Sequence, residues 1–172
     1  AVQNIEKQRQ QSTGTIPEEV AEFFRGALKQ SDYSAEQWQN LIGNTGVGTV
    51  FLAIKPGDGS AREQAASCQR VLGGDANIAI EYATKRYRSN LINWGLLPFT
   101  VDKEDHDKIK LNDYVYIPNI LQALQSGAAT VEASAISADG VKQVTLKLEN
   151  LSADDRDIIA AGCLMNYYSK DI

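Results

Sequence analysis

The sequence predicts an α/β fold with mainly parallel central strands, an added antiparallel hairpin and flanking helices. Two observations lead to this prediction. Between residues 47 and 101, short apolar runs rich in β-branched residues alternate with stretches of helical periodicity. That alternation is typical of parallel strands joined by helical crossovers. Near the C-terminus, two strand patterns flank the turn sequence Ala138-Asp139-Gly140, which indicates a hairpin.

Composition limits the class of protein. The chain has 172 residues, 43% of them hydrophobic and 23% charged, with a formal net charge of -5. These values are ordinary for a globular protein and exclude a disordered chain. No apolar run approaches the ~20 residues of a membrane-spanning helix, so we expect no membrane contact. The acidic balance argues against nucleic-acid binding, which needs a basic surface. We expect a polar N-terminal segment or linker at residues 1–14 and a single domain at residues 15–172.

The first half of the chain predicts two helices followed by alternating strands and helices. Helix starts are predicted at Thr15, with Pro17 in the first turn, and at Ser34, with Gln37 in the capping-box position. The apolar run Val47–Ile54 predicts a central strand buried on both faces. Beyond it the pattern predicts, in order, a helix from 61 to 72, a strand from 76 to 80, a helix from 84 to 93 and a strand from 96 to 101.

The last third predicts three strands and a final helix. The strands are expected at residues 114–117, 130–137 and 141–148. Ser152 and Asp155 form a capping-box pattern at the start of the helix. Its expected buried face consists of Ile158, Ala161, Gly162, Met165 and Tyr168.

The cysteines and the N-terminus bear on cofactors and location. Cys68 and Cys163 are the two cysteines, and no CxxC or Cys/His cluster is present. We therefore expect no metal site made by this chain alone and two buried free thiols. The polar start does not resemble a signal peptide, so a cytoplasmic location is expected. Because the first residue is Ala, we expect a processed product or a piece of a longer chain.

The loop Gly57-Asp58-Gly59-Ser60-Ala61-Arg62-Glu63 is the strongest candidate functional site. Glycines let a backbone approach a ligand, and the N–H groups at the start of the next helix attract anions. Arg62 adds a guanidinium that suits a carboxylate or a phosphate. The alternative is an ordinary turn in which Ser60 is the helix N-cap and Glu63 completes its box. The basic segment Lys85–Arg88 is interpreted as a solvated helix face; contact with another domain or with substrate is its alternative.

Two segments resemble a known family. They are GDGSAREQAASCQRVLGG, from Gly57 to Gly74, and RSNLINWGLLPFTV, from Arg88 to Val101. Their glycines, Ser60, Arg62, Glu63 and the later Gly-Leu-Leu-Pro resemble the C-terminal swivel domain of the aconitase family, and most closely its bacterial hydratase branch. The resemblance implies the swivelling β/β/α domain of that family.

The resemblance also implies chemistry. Ser60 would be the general base, Arg62 would bind a substrate carboxylate, and Gly59 and Ala61 would contact substrate through the loop. The implied reaction is hydration or dehydration of a small tricarboxylic or dicarboxylic hydroxy acid. A [4Fe–4S] cluster is implied in the complete enzyme but none bound by this chain, which would be inactive alone. Two residues depart from the family pattern, Ala61 in place of a second serine and Gln64 in place of histidine.

Two alternatives stay open at this point. The chain also suits the small subunit of an isopropylmalate-type dehydratase, which would need a large subunit rather than preceding domains of the same protein. Ala61 and Gln64 keep open a third possibility, a non-catalytic anion-binding or interaction domain with the same fold.

Overall fold

The computed structural model describes residues 25–26 and 34–169, and the chain divides into two units, Ala1–Thr49 and Val50–Ile172. In the first unit, helix α1 (Ala35–Gly43) begins with the predicted capping box. Gln37 N donates to Ser34 Oγ at 3.2 Å, and Ser34 N donates to Gln37 Oε1 at 3.0 Å. The segment 1–14 and the helix start at Thr15 lie outside the described residues, and the single-domain assignment stays a prediction.

A six-stranded sheet with the order β1-β2-β3-β6-β5-β4 organises the rest of the described chain. Strands β2 and β3 are parallel, whereas the pairs β3–β6, β5–β6 and β4–β5 are antiparallel. The predicted α/β fold with an antiparallel addition is therefore confirmed. The strands are β1 (Thr49–Ala53), β2 (Gly74–Ala79), β3 (Leu97–Thr100), β4 (Tyr114–Tyr116), β5 (Thr130–Ser137) and β6 (Gly140–Lys147). The helices after α1 are α2 (Arg62–Val71), α3 (Lys85–Asn93), α4 (Lys103–His106), α5 (Ile120–Gln125), α6 (Ala153–Ala160) and α7 (Leu164–Tyr168).

The hairpin of β5 and β6 agrees closely with its sequence pattern. The two strands pair continuously from Thr130 opposite Lys147 to Ser137 opposite Gly140. Gly140 has φ +128°, a conformation that glycine adopts without steric strain. The Asp139-Gly140 signal therefore locates the turn correctly.

Strand β1 does not occupy the central position predicted for Val47–Ile54. Among the described strands it lies at one edge of the sheet, next to β2. Its side chains are at most half-buried, and Ile54, just beyond its end, is 66% exposed. An apolar run shows that a strand can be buried on both faces, but it does not determine whether one or two strands pair with it in the sheet.

The predicted final helix is two shorter helices. Ser152 caps α6 in the predicted box with Asp155, and Ile158 and Ile159 are buried. Gly162 then adopts φ +87° between α6 and α7, which interrupts the helical periodicity. The predicted burial of Met165 and Tyr168 is consequently wrong, since they are 79% and 61% exposed.

Two apolar clusters fill the described interior. The larger one joins the sheet to the later helices, with Phe99, Ile78 and Leu146 among its fully buried members. The smaller one consists of Ala66, Tyr87, Leu91 and Leu96, and it joins α2 and α3. The smaller cluster matters for function because it lies beneath the glycine-rich loop that precedes α2. Within the described residues, no helix has both the length and the apolar character needed to cross a membrane.

Candidate functional site

The glycine-rich loop lies at the carboxyl edge of the sheet. After β1, Ile54 O accepts a hydrogen bond from Glu81 N at 3.1 Å. Pro56 O then accepts one from Ala83 N at 2.9 Å. Because residues 81 and 83 follow β2, the chain segments leaving β1 and β2 run side by side beyond the strand ends. This edge is where open α/β sheets bind ligands.

The base of the loop is fixed at Gly57. This residue has φ +98°, and its carbonyl oxygen accepts two hydrogen bonds. Thr84 Oγ1 donates to it at 2.9 Å, and Arg62 Nε donates to it at 3.2 Å. The ring of Tyr87 packs against the Gly57 Cα, where a Cβ would have no room. The loop therefore starts from a rigid anchor on the N-terminal end of α3.

The tip of the loop is open. Asp58, Gly59, Ser60 and Ala61 are all exposed, and Gly59 has open space where a Cβ would be. The N-cap of α2 is Ala61, whose side chain makes no capping hydrogen bond. Ser60 Oγ makes no hydrogen bond with any residue in the described ranges. The interpretation of Ser60 as an ordinary N-cap is therefore wrong, and the first N–H groups of α2 keep their capacity for an anion.

Arg62 lies back over the loop that precedes it. The residue is half-buried, and besides its bond to Gly57 it directs Nη2 to Asp58 O at 3.5 Å. Its Nη1 donates to no group within the described part of the chain. The guanidinium is thus oriented by the loop and retains donors for a carboxylate. The structure places Gly59, Ser60, Ala61 and Arg62 together at the start of α2, while their roles stay predictions.

A buried polar network supports Tyr87 from below. Gln69 Nε2 and Asn77 Nδ2 donate to the Tyr87 hydroxyl at 2.9 and 3.1 Å. Asn77 Nδ2 also donates to Gln69 Oε1 at 3.1 Å. Tyr87 is 3% exposed, so the solvated-face interpretation of its segment is wrong for this residue. The burial of Tyr87 could have been predicted from its four-residue spacing to Leu91, which places both on one face of the helix. The basic residues on either side of Tyr87 indicated an exposed surface instead.

A cavity of about 650 Å³ lies at the same carboxyl edge, beyond β2 and β3. Several of its charged groups already have partners. Lys147 Nζ lies 2.8 Å from Asp102 Oδ1, and Arg88 donates to the carbonyl oxygens of Asn150, at 3.0 Å, and Glu149. Desolvation by burial lowers the pKa of Arg88. Ser60 does not line this cavity. The lining residues come from the ends of β2 and β3, from α3 and from the segment after β6, and they are Ile80, Glu81, Tyr82, Lys85, Arg88, Ser89, Ile92, Thr100, Val101, Asp102, Lys147, Glu149, Asn150 and Asp155.

The cysteines do not form a cluster site. Cys68 is exposed on α2, which corrects the expectation of a buried thiol. Cys163 is half-buried at the N-cap of α7, where its Sγ accepts a hydrogen bond from Asn166 N at 3.4 Å. In the described ranges, no group of three or more His, Cys, Asp or Glu residues could hold a metal ion. Since iron–sulfur clusters are held by about four cysteine ligands, the two cysteines of this chain do not fit one.

Comparisons with known proteins agree on one family. The family model for the aconitase C-terminal domain matches residues 3–104. A protein of Emericella nidulans named "Putative aconitate hydratase, mitochondrial" is 33% identical over 116 residues, which are 66% of this chain and 14% of that protein. The mitochondrial homocitrate dehydratase of Saccharomyces cerevisiae is 31% identical over 124 residues, 69% of this chain and 16% of that protein.

A solved structure is also similar. It is a 3-isopropylmalate dehydratase from Methanocaldococcus jannaschii, with 28% identity and a TM-score of 0.47 over 77% of this chain and 70% of that chain. The chain spans 14% to 16% of the length of the curated relatives described above. Because the family model covers more than half of the chain, the protein belongs to the aconitase C-terminal domain family.

Proposed function

We propose that this domain forms one wall of the active site of a cytoplasmic, aconitase-like hydro-lyase. Its substrate is a small tricarboxylic or dicarboxylic hydroxy acid, from which water is reversibly removed across a C–C bond. Preceding domains of the same protein, or a large subunit, complete the site. The observation that supports this proposal best is the exposed position of the Ser60 hydroxyl. This hydroxyl lies at the start of α2, and no described group of the protein binds it.

Ser60 acts as the general base in this proposal. Its Oγ takes the proton from the carbon alpha to a substrate carboxylate, and it returns that proton in the hydration direction. A serine hydroxyl is a weak base unless its deprotonated form is stabilised. The free N–H groups in the first turn of α2 and the nearby guanidinium of Arg62 provide that stabilisation. Because Ala61 makes no side-chain cap, those N–H groups are not already occupied by the chain's own capping group.

Arg62 binds a carboxylate of the substrate. Its bonds to Gly57 O and Asp58 O orient the guanidinium, while Nη1 remains for the ligand. The backbone at Gly59 and Ala61 approaches the substrate without steric obstruction from a large side chain. The resemblance implies a [4Fe–4S] cluster in the complete enzyme, and with two cysteines in this chain its ligands would come from the other domains. The cluster would supply a Lewis acid that binds the departing hydroxyl, so the roles of Ser60 and Arg62 need no ligand from this chain to it.

The test is Ser60→Ala in the complete enzyme, assayed with hydroxy-acid substrates. We expect kcat to fall by about 10²–10⁴, the usual contribution of a general base, with a much smaller change in KM. Ser67→Ala is the matched control, because Ser67 lies on the same helix and its hydroxyl donates to Gln64 O and to no other group of the described residues. A Ser60→Ala enzyme with near-normal kcat would contradict the proposal.

A non-catalytic anion-binding domain is the second candidate, favoured by Ala61 and Gln64, which replace a serine and a histidine of the family pattern. Calorimetric titration of the complete protein with citrate and related polycarboxylates separates the two candidates. Binding that depends on Arg62, with no turnover of any hydroxy acid tested, identifies the second candidate. Turnover lost in Ser60→Ala identifies the first.

A further inference from the structure

We propose that Thr84 is a positioning residue for the Gly57–Ala61 loop, acting through the carbonyl oxygen of Gly57. This inference rests on the proposed function of Ser60 and Arg62. Thr84 precedes α3 and is 27 residues away from Gly57 in the chain. Among the described residues its hydroxyl bonds to Gly57 O and Tyr87 N and not to Ser60, so an effect on the reaction would pass through the loop.

The hydroxyl of Thr84 makes two hydrogen bonds at once. As the N-cap of α3 it accepts from Tyr87 N at 3.3 Å. It donates its single hydrogen to Gly57 O at 2.9 Å. The first bond fixes the hydroxyl relative to α3, and the second transfers that position to the loop. The extended backbone of Thr84, with φ -142° and ψ 144°, is the usual conformation of an N-cap, so this arrangement needs no strain.

The accepting carbonyl is shared with the candidate substrate-binding residue. Arg62 Nε donates to the same Gly57 oxygen at 3.2 Å. Thr84 and Arg62 therefore donate hydrogen bonds to the same oxygen, and the position of that oxygen affects the orientation of the Arg62 guanidinium. Tyr87 packs against the Cα of the same residue, which blocks movement toward α3. Without the Thr84 donor, the Gly57 oxygen keeps only the bond from Arg62 Nε among the described residues. The loop then loses its hydrogen bond to the start of α3, and both Arg62 and the tip of the loop are held less firmly.

The capping bond and the bridge to Gly57 are separable by substitution. Thr84→Asp keeps an oxygen that accepts from Tyr87 N, but an ionised carboxylate has no hydrogen to donate to Gly57 O. Thr84→Ser keeps both bonds. Ser152→Ala is the matched control, since it removes an N-cap of comparable kind from α6 and leaves the loop untouched. These variants distinguish a local effect on the loop from a general loss of stability.

The experiment measures amide hydrogen exchange and steady-state kinetics on the complete enzyme and these three variants. We expect exchange of the Ala83 amide, which donates to Pro56 O beside Gly57, to rise about tenfold in Thr84→Asp. We expect kcat to fall by about ten- to a hundredfold, with a smaller change in KM. Thr84→Ser should keep both the exchange rate and kcat at wild-type values. Unchanged exchange of the Ala83 amide in Thr84→Asp would overturn the proposal, and so would an equal effect in Ser152→Ala.

The outcome also separates this inference from the proposed function. If Ser60→Ala keeps normal turnover, the assignment of Ser60 fails, while exchange of the Ala83 amide still reports on the bridge from Thr84 to Gly57. If Ser60→Ala abolishes turnover and Thr84→Asp raises exchange without lowering kcat, the proposed function stands and the positioning role of Thr84 is overturned.

Discussion

Tyr87 packs so closely against Gly57 that a Cβ built on residue 57 would lie 2.5 Å from Cβ, Cγ and Cδ1 of the tyrosine. Gly57 also has a positive φ, at +98°. Two independent requirements therefore demand glycine at this position, namely the backbone conformation and the absence of a side chain. The contact joins the first residue of the loop to the small apolar cluster between α2 and α3.

Gly57→Ala should destabilise the protein more than an alanine substitution at a glycine that has a positive φ but room for a Cβ. Gly127 is the matched position, because its φ is +72° and nothing lies within 4 Å of a built Cβ. We expect the free energy of unfolding to fall by about 3 kcal/mol or more for Gly57→Ala, from strain and overpacking together. Gly127→Ala should cost about 1 kcal/mol. Denaturant titration of both variants measures the difference. Equal losses of unfolding free energy would show that the Tyr87 ring moves away from the new Cβ without destabilising the protein.

Arg62→Lys should impair the complete enzyme in both steady-state parameters. A lysine cannot donate to Gly57 O through an Nε and at the same time present a planar pair of donors to a carboxylate. We expect KM to rise and kcat to fall, each by roughly tenfold. Arg70→Lys serves as the control, because Arg70 lies in the last turn of the same helix and pairs with Asp75. Similar values of KM and kcat for the two variants would contradict the assignment of Arg62 as a substrate-binding residue.

Tyr82 should make stability sensitive to alkaline pH. Its hydroxyl donates to Phe99 O at 3.1 Å, and burial raises its pKa above the usual 10.0. Since the folded state holds this proton more tightly, the contribution to stability is complete below about pH 10 and is lost as the pH rises further. The free energy of unfolding should therefore fall less steeply above pH 10 in Tyr82→Phe than in the wild type. Tyr168→Phe, at an exposed position, should behave like the wild type.

Asp105 should make stability sensitive to acid. The side-chain hydrogen bond from Lys108 Nζ, at 2.6 Å, lowers its pKa most, and Thr145 N adds a bond at 2.8 Å. A lowered folded-state pKa gives stability that is present above about pH 4 and is lost as the pH falls through the folded value. Asp105→Asn should flatten the decline of unfolding free energy between about pH 5 and 2. An unchanged slope, or an equal effect from the turn variant Asp139→Asn, would contradict this account.

Local sequence patterns predicted much of the fold. The range of β5, the turn at Gly140 and the capping boxes at Ser34 and Ser152 all follow from interactions within a few residues. Such interactions are encoded by spacing alone. The interruption at Gly162 was missed because its neighbours continue an apolar helical pattern across it. The edge position of β1 was missed because strand order is a long-range property.

The candidate site shows the same limit. The motif located the loop, and the structure places Ser60 at the carboxyl edge of the sheet as its position after β1 requires. The anchors of the loop could not be predicted, since Thr84 and Tyr87 meet Gly57 across about thirty residues of intervening chain. Only the folded chain shows that Ser60 is not used as a cap.

The contrast between a fixed loop base and an open tip has a consequence for evolvability. Positions 58–61 are exposed, and side-chain changes there remove no packing from the described interior. Substitutions at the tip are therefore nearly neutral for folding, while they lie where a ligand would meet the chain. A domain built this way can explore new substrates by drift at the codons of residues 58, 59 and 61, which flank the proposed base Ser60, without first acquiring compensating stabilisation. Saturation libraries confined to these codons should accordingly contain a high fraction of folded members, whereas libraries at Gly57 or Tyr87 should not.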